Sequence, residues 1–386
     1  DLKEAVEWLK DFRDSSPSQD LLDDFKRADK VCDGDIDKWI KFANTLRLRI
    51  AMQLVKVYPD SQKEAEDAVR DGVLTNSDSD VVLKSGLMLF RIEDLWNDTR
   101  ANANIISILQ GYSDPRLERW FATNNADIYS TDDELSPVVE KATKYLGVRQ
   151  GVPMTRTEYQ GYSKTSRVGI PEQGPRPVLR VAEAYFLRAE GMLRNWNMGD
   201  GTPESLYNEG IHSAWASVLG DESGWAGTYE SYINGFINTE EGGDFDWELF
   251  EGGFGSAPYI NYRNQEYDYY IEENGKQVGI NRISVRWHDE DSPEKKLQRI
   301  ITQKWISFFP TLSSVAWTEY RRTGYPELYP CIDNLSDCGV SSQRGMRRLS
   351  FPYTEAQNNK ANYDLGVAEL GGADNEATDL KWAKKN

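Results

Sequence analysis

The sequence contains few of the side chains on which nucleophilic and transition-metal chemistry depends. Its 386 residues include two histidines, His212 and His288. A serine or cysteine hydrolase needs a base beside its nucleophile, but His212 lies beside core positions of a predicted helix and His288 lies among acidic residues. We therefore predict that the protein is not an enzyme and has no catalytic residues.

Cysteine is equally scarce. Cys32, Cys331 and Cys338 are too few for a disulfide scaffold, and they lack the CxxC spacing of a zinc site. Cys331 and Cys338 either close a small loop in an oxidising compartment or remain two free thiols. The sequence leaves both alternatives open.

Long apolar runs and leader signals are also lacking. No run approaches the ~20 apolar residues that a membrane-spanning helix needs. The chain opens in an amphipathic helix with Leu2, Val6, Leu9 and Phe12 on one face, instead of with a signal peptide. We expect that an N-terminal portion is missing from this sequence.

Basic residues are fewer than acidic residues. The chain has 45 lysines and arginines against 63 aspartates and glutamates, a formal net charge of −18. This charge would repel a phosphate backbone, and no basic run offsets it. We therefore expect no nucleic-acid partner.

One acidic run, Asp33–Asp37, begins like the calcium-binding loop of an EF-hand. It lacks the glycine at the sixth position and the glutamate at the twelfth, where Asn44 stands, so it is better explained as a helix N-cap. We expect no cofactor. A structural calcium site built from other loop carbonyls and carboxylates stays an open alternative.

Helical periodicity is frequent in the sequence. It is clearest over residues 177–220, where it predicts a hairpin of two helices. Pro177 can occupy the first turn of one helix, and Thr202 and Pro203 can cap and open a second helix that Gly220 ends. Small residues would let the two helices approach closely, as in tetratricopeptide pairs. Since no second copy is clear, an ordinary helical hairpin and a degenerate repeat both remain possible.

Further helices are predicted from caps and stops at 35–58, 61–72, 101–109, 292–309 and 314–322. The helix over 35–58 is apolar on two faces and is expected to be buried. The charged side chains of Arg47 and Arg49 therefore need hydrogen-bonding or ionic partners. Asn274-Gly275 predicts a β-hairpin, and the C-terminal part is predicted to be irregular. The predicted fold is mainly α, with long glycine- and aromatic-rich loops and small β-hairpins.

Aromatic residues in those loops are the candidate ligand contacts. Tryptophan and tyrosine rings stack on the apolar faces of sugars, and neighbouring polar groups satisfy the hydroxyls. The predicted contacts lie beside glycine or hydrogen-bonding side chains: Trp96, Asn97, Asp98, Tyr159, Tyr162, Trp225, Tyr229 and Trp247. The alternative for each is an aromatic side chain that anchors its loop to the core.

Two further groups look functional but have simpler explanations. The acidic run 240–248 could supply the paired carboxylates of a glycoside hydrolase, but with so many acids in the chain a solvated loop is the better explanation. Arg321 and Arg322, with Trp317 and Tyr325 beside them, are predicted to be structural, because arginines on a short helix next to an aromatic core often clamp carboxylates.

Segments spread over nearly the whole chain resemble the SusD-like (SusD/RagB) family of nutrient-binding outer-membrane lipoproteins of Bacteroidetes. The resemblance rests on DKWIKFANTLRLRIAMQL at 37–54, YSDPRL at 112–117 with YLGVRQG at 145–151, AEAYFLRAEGMLRNWNMG with LYNEGI in the central hairpin, ITQKWISFFPTLSSVAWTEYRRTGYPEL at 301–328, and RRLSFPYTEAQNN near the C-terminus. They occur in the order of the family.

The resemblance implies one domain over 1–386, built on tetratricopeptide-like helix pairs with a loop-rich ligand face. It implies capture of an oligo- or polysaccharide, a SusC-like TonB-dependent transporter as partner, and surface exposure on the outer membrane through an N-terminal lipid. The alternatives are a peptide-binding protein of the same fold and a glycoside hydrolase. The resemblance does not identify the glycan or the binding residues.

Overall fold

Helices dominate the described part of the chain. The computed structural model describes residues 1–83, 99–123, 145, 147–152, 162–165, 176–235, 271–273, 276–278 and 280–384. Within them lie 13 α-helices and two antiparallel sheets of two strands each. The helices are α1 (Leu2–Asp14), α2 (Gln19–Ala28), α3 (Ile36–Gln53), α4 (Ser61–Arg70), α5 (Ala103–Gly111), α6 (Arg116–Trp120), α7 (Val181–Leu193), α8 (Pro203–Leu219), α9 (Ala226–Ile233), α10 (Pro293–Ser307), α11 (Ser313–Thr323), α12 (Tyr353–Asn358) and α13 (Lys360–Leu370). The strands are β1 (Val81–Leu83), β2 (Arg176–Leu179), β3 (Ile271–Glu273) and β4 (Lys276–Val278).

Local capping signals set several helix ends where the sequence predicts them. The Asp35 carboxylate accepts the N–H of Lys38 at 2.9 Å and opens α3. Thr202 and Ser205 form a reciprocal capping box at the start of α8, and Gly324, at φ 83°, ends α11 in the left-handed conformation. The acidic run at Asp33–Asp37 is therefore a helix start, as predicted.

The predicted start of the central hairpin is wrong. Pro177 lies in β2, which pairs with β1, and α7 begins only at Val181. The N–H of Val181 is accepted by the Asp80 carboxylate at 2.8 Å, and the Arg180 guanidinium reaches the same carboxylate at 3.0 Å. This cap comes from a distant residue, so a local pattern could not indicate it.

Five helices were not predicted. The hydroxyl of Ser18 caps one of them, α2, and α6 and α9 lie in regions predicted to be loops. The other two, α12 and α13, lie in the part predicted to be irregular, and within them only Leu370 is buried. All three cysteines are free thiols in the structure, so the loop between Cys331 and Cys338 is not closed by a disulfide.

The central hairpin packs closely, and α7 also contacts α3 and α10. Glycines make this approach possible, as predicted. A Cβ on Gly210 would lie 2.7 Å from the Phe186 ring, and one on Gly191 would lie 2.5 Å from the Met198 sulfur. A larger side chain at Gly210 would push α8 away from α7, and one at Gly191 would displace Met198 in the loop that connects them.

A cluster of buried charges joins α7, α10 and α11. We call Glu190, Lys304, Glu319 and Arg322 the buried charge cluster. The Arg322 guanidinium donates to both Glu190 oxygens at 2.6 and 2.7 Å and to Glu319 Oε2 at 2.7 Å. Lys304 Nζ lies 3.1 Å from the same Glu319 oxygen. Each of the four side chains is at most 3% exposed.

The predicted need for partners on α3 is met. Arg49 donates to both carboxylate oxygens of the fully buried Glu183 on α7, at 2.7 and 2.5 Å. Arg47 donates to Asn44 and Asp71. These bonds tie α3 to α7 and to the end of α4.

The structure confirms that Arg321 and Arg322 lie in the core, at 7% and 2% exposed. The Arg321 guanidinium lies 3.5 Å from the ring centroid of Trp317 and 4.9 Å from that of Trp382. Its Nη1 donates to the Arg347 carbonyl at 2.9 Å. Arg321 therefore fastens the C-terminal segment to α11.

Replacing Arg322 by alanine would leave Glu190 and Glu319 buried without their main cation. We expect Arg322→Ala to lower the free energy of unfolding by about 3–5 kcal/mol, measured by urea denaturation. Arg70→Ala removes an ion pair whose arginine is 69% exposed and should cost less than about 1 kcal/mol. Equal effects of the two substitutions would contradict the structural role of the cluster.

The cluster also makes stability depend on acid pH. Burial disfavours the charged form of Glu190, but the charge and hydrogen bonds of Arg322 outweigh it and lower its pKa from 4.5 to about 2. A depressed carboxyl pKa stabilises the fold above the unfolded value, and this contribution disappears as the pH falls towards the folded value. We expect Glu190→Gln to be less stable at pH 7 and to lose less stability than wild type between pH 4.5 and 2.

The exposed Glu7 on α1 provides the control. Glu7→Gln should keep the wild-type acid dependence in thermal denaturation over the same pH range. If Glu190→Gln and wild type lost the same stability on acidification, Glu190 would not be the titrating group.

Candidate functional site

Most of the predicted contact residues lie outside the described residues: Trp96, Asn97, Asp98, Tyr159 and Trp247. For them the sequence prediction remains untested. Tyr162 is described and half-buried, and it directly precedes the fully buried Ser163.

Trp225 and Tyr229 are not loop residues, and this part of the prediction is wrong. Trp225 directly precedes α9 and Tyr229 lies within it, and the two side chains are only 6% and 7% exposed. Both rings pack edge-on against His212 and Trp215 of α8. The Trp225 indole N–H donates to the Gly220 carbonyl at 3.1 Å, and the Tyr229 hydroxyl donates to the Asn208 carbonyl at 2.7 Å. These rings anchor the chain to the core, which was the alternative explanation.

Four described segments of the region 81–176, which we call the first loop region, meet near the start of α5. Ala101 donates its N–H to the Ser163 carbonyl and accepts the N–H of Val148, both at 2.8 Å, while Ala122 donates to the Lys164 carbonyl at 2.9 Å. We call Ala101, Ala122, Val148, Ser163 and Lys164 the loop platform. Backbone pairing at the platform holds four distant segments of chain together.

A second anchor lies where β1 pairs with β2. In this antiparallel pair, Leu83 lies opposite Arg176. The chain continues from Leu83 to Ala101 and from Lys164 to Arg176, so segments 84–98 and 166–175 connect the same two anchors.

The platform lies next to one described residue of the predicted contact groups. Tyr162 adjoins Ser163, whose carbonyl accepts the N–H of Ala101.

The residues that flank the second loop region, 236–279, contact the chain at the other end of α5. Tyr112 follows α5, and its hydroxyl donates to the Ile283 carbonyl at 2.6 Å. Its ring packs edge-on against Tyr232 of α9, with centroids 6.2 Å apart. Since a helix rises 1.5 Å per residue, Asn102 and Tyr112 lie about 15 Å apart. All residues of α5 are buried, so the helix is a rigid spacer between the two loop bases.

A groove of about 250 Å³ lies between α10 and α11. Aromatic and aliphatic side chains form its wall, with Ser313 as the polar exception: Ile105, Trp305, Phe308, Phe309, Pro310, Ala316, Trp317, Tyr320 and Leu328. The Trp317 indole and the Tyr320 hydroxyl donate to the carbonyls of Met346 and Gln343. A lining of this kind offers little to the hydroxyls of a sugar, so the groove alone is a poor sugar site.

The described residues contain no cluster of three His, Cys, Asp or Glu side chains that could hold a metal ion. None of their helices is both long and apolar enough to span a membrane. The two histidines each face a single glutamate, His212 with Glu222 at 3.2 Å and His288 with Glu290 at 3.5 Å. In these contacts neither histidine is paired with a serine or cysteine nucleophile.

The loop platform could not be found from the sequence. Its contacts are backbone hydrogen bonds between segments far apart in the chain, and such bonds leave no side-chain pattern. The sequence signal was indirect: the many turn residues between 81 and 176 indicated packed loops or a functional surface.

The chain is similar to known proteins in both sequence and structure. The sequence profile of the SusD-like proteins, described as Susd and RagB outer membrane lipoproteins, matches residues 1–229 and 253–383. No curated protein sequence matches the chain.

Several solved structures are similar over the whole chain. A chitin-binding SusD homologue from Flavobacterium johnsoniae is 32% identical, with a TM-score of 0.76 over 100% of this chain and 71% of that one. A SusD-like protein from Bacteroides thetaiotaomicron is 31% identical, with a TM-score of 0.76 and coverage of 100% and 71%. A SusD homologue from Bacteroides ovatus is 30% identical, with a TM-score of 0.79 and coverage of 100% and 72%. The mainly helical fold predicted from the sequence is confirmed, and the chain belongs to the SusD-like family of outer membrane lipoproteins.

Proposed function

We propose that this protein captures an oligo- or polysaccharide at the cell surface and delivers it to a SusC-like TonB-dependent transporter. In this proposal an N-terminal lipid holds it on the outer membrane, facing outwards. The observation that carries the proposal is the alignment of the whole chain, at 32% identity, with a solved SusD homologue that binds chitin. Chito-oligosaccharides are therefore the first ligands to test.

The proposed contact residues are Trp96, Asn97, Asp98, Tyr159, Tyr162 and Trp247. Support comes from Tyr162, which lies beside the loop platform at Ser163. Trp225 and Tyr229 are not proposed as contacts, because their rings are packed in the core. They instead fix the start of the segment that carries Trp247.

The charge of the protein favours a neutral ligand. With a formal net charge of −18, long-range electrostatics oppose the approach of a polyanion. Recognition of a neutral glycan by stacking and hydrogen bonds has no net ionic term for salt to screen. We expect binding at 0.15 and 1 M NaCl to have the same affinity within about twofold, measured by isothermal titration calorimetry; a large loss at high salt would indicate a charged ligand.

Substitution of tryptophans should separate ligand contacts from core anchors. A stacking aromatic contributes roughly 1–3 kcal/mol by analogy with base stacking, so Trp96→Ala and Trp247→Ala should each weaken affinity about ten- to a hundredfold. Their melting temperatures should stay near the wild-type value. Trp225→Ala should instead lower the free energy of unfolding by about 3–5 kcal/mol.

The measurement is calorimetry against the tightest glycan from an array that includes chito-oligosaccharides, with thermal denaturation in parallel. Unchanged affinity for Trp96→Ala and Trp247→Ala would move the site away from these residues. Affinity for peptides and for no glycan on the array would favour uptake of protein-derived nutrients.

The same glycans also test the absence of catalysis. We expect incubation with the purified protein to release no new reducing ends, because each of the two histidines faces a glutamate and neither is paired with a serine or cysteine in the described contacts. Reproducible release of oligosaccharide would favour a glycoside hydrolase instead.

A further inference from the structure

The segment that follows α13, residues 371–384, borders a cleft with charged walls. The cleft has a volume of about 570 Å³ and is lined by Arg344, Gly371, Thr378, Asp379 and Lys384. None of these residues belongs to the loop platform or to the proposed glycan contacts. The function proposed above therefore gives this cleft no role.

The only acidic side chain that lines the cleft is shared between two arginines. The Asp379 carboxylate accepts from Arg344 Nη2 and from Arg347 Nε, both at 2.5 Å. Burial would raise the pKa of Asp379, but its bonds to the two arginines keep the pKa below its ordinary value. Asp379 is therefore ionised at neutral pH, and one negative charge serves two positive ones.

A third arginine beside Arg347 has no carboxylate partner among the described residues. Arg321 Nη1 donates to the Arg347 carbonyl at 2.9 Å and Nη2 donates to the Thr318 hydroxyl at 3.2 Å, while Nε has no hydrogen-bond partner. The rings of Trp317 and Trp382 contact the guanidinium, but a cation–π contact replaces a counter-ion only in part. Burial and the charge of Arg347 lower the pKa of Arg321 to about 10, as expected for a positive charge that is poorly compensated.

Lys384 adds a fourth positive charge. Its backbone is held in place, because its carbonyl accepts from Lys56 Nζ at 3.0 Å and the preceding Ala383 is fully buried. Its ammonium lies near the carbonyl end of α13, since a Cβ on Gly371 would be 3.9 Å from Lys384 Nζ. The ammonium forms no hydrogen bond or ion pair with any other side chain that the structure describes.

The remaining acids of the segment do not restore the balance. Asp374 is paired with Arg348 at 2.5 Å. Glu376 accepts from the Ser350 hydroxyl at 2.8 Å instead of from an arginine. Even with Glu376 counted beside Asp379, the four cations exceed the two anions by two charges. This local excess contrasts with the formal net charge of −18 of the whole chain, and a concave site with excess positive charge attracts anions.

We propose that the cleft binds the carboxylate of a small ligand between Arg344 and Lys384. The Arg344 side chain is 48% exposed, and only its Nη2 is bonded to Asp379, which leaves its other N–H groups open to a planar oxyanion. The lining side chains of Arg344, Lys384 and Asp379 sum to one positive charge. A monoanionic carboxylate balances this charge, whereas a phosphate dianion would exceed it.

A carboxylate can come from a uronic acid of a glycan or from the end of a peptide, and two matched pairs of probes separate these sources. Glucuronate is compared with glucose, and N-acetylglycine with N-acetylglycinamide, by ligand-observed NMR titration of the purified protein. We expect at least one carboxylate to bind more tightly than its uncharged partner. This preference should shrink between 0.15 and 1 M NaCl, because salt screens an ionic contact at an open cleft.

Substitutions that each remove one positive charge locate the site. Arg344→Gln and Lys384→Gln should each weaken the affinity for the preferred carboxylate roughly tenfold or more, the change that corresponds to loss of one charge-assisted hydrogen bond. Lys381→Gln is the matched control, since Lys381 lies in the same segment but is 60% exposed, pairs with Glu369 and does not line the cleft. It should change the affinity less than about twofold. All three side chains are largely exposed, so the melting temperatures should stay near the wild-type value.

Three results would overturn the assignment. They are equal affinities within both probe pairs, equal losses for Lys381→Gln and Lys384→Gln, and tighter binding of inorganic phosphate than of either carboxylate. The site does not depend on the proposed function. If a carboxylate binds here and no glycan of the array binds, the cleft is a carboxylate site and the proposed function fails; the reverse result overturns only the carboxylate site.

Discussion

The fold depends on charges that are buried and paired across helices distant in sequence. Arg322 of α11 holds Glu190 of α7, Glu319 holds Lys304 of α10, and the Arg49–Glu183 pair adds α3. Removing such groups from water is costly, and only well-formed pairing offsets the cost. A shift of any of these helices would leave a buried charge unpaired, so the cluster restricts the scaffold to one arrangement. Apolar contacts also stabilise that arrangement, but they would tolerate small changes in helix position more readily than the charge pairs do.

The parts of the fold that the sequence predicts are those determined within a few residues. Asp35 and Thr202 cap the helices that directly follow them, and these are visible as local patterns. The start of α7 is set by Asp80, from far along the chain, and α13 buries little apolar surface and so shows little periodicity. Trp225 stands among glycine, serine and threonine, as a loop residue would, and its burial is decided by His212 and Trp215 of another helix.

The candidate site, too, is only partly predictable from local sequence. Composition indicates that the regions around 81–176 and 225–262 are rich in turns and aromatic residues, and this is enough to predict ligand-bearing loops. It does not indicate how those loops are brought together, because the platform is made of backbone pairing and the spacer between the two loop regions is α5, whose buried residues carry no sign of function. Family membership adds the expectation of a shared scaffold on which the loops differ.

Tyr112 contacts the chain on both sides of the second loop region, because its ring packs against Tyr232 and its hydroxyl accepts from Asn281, and this has a consequence for divergence within the family. When the ends of a loop are already fixed close together, its closure entropy grows only with the logarithm of its length, so each doubling costs about 0.6 kcal/mol. A change of chain length between Gly235 and Ile280 therefore adds little closure entropy. A new ligand preference could arise there through changes in loop length as well as through point substitutions.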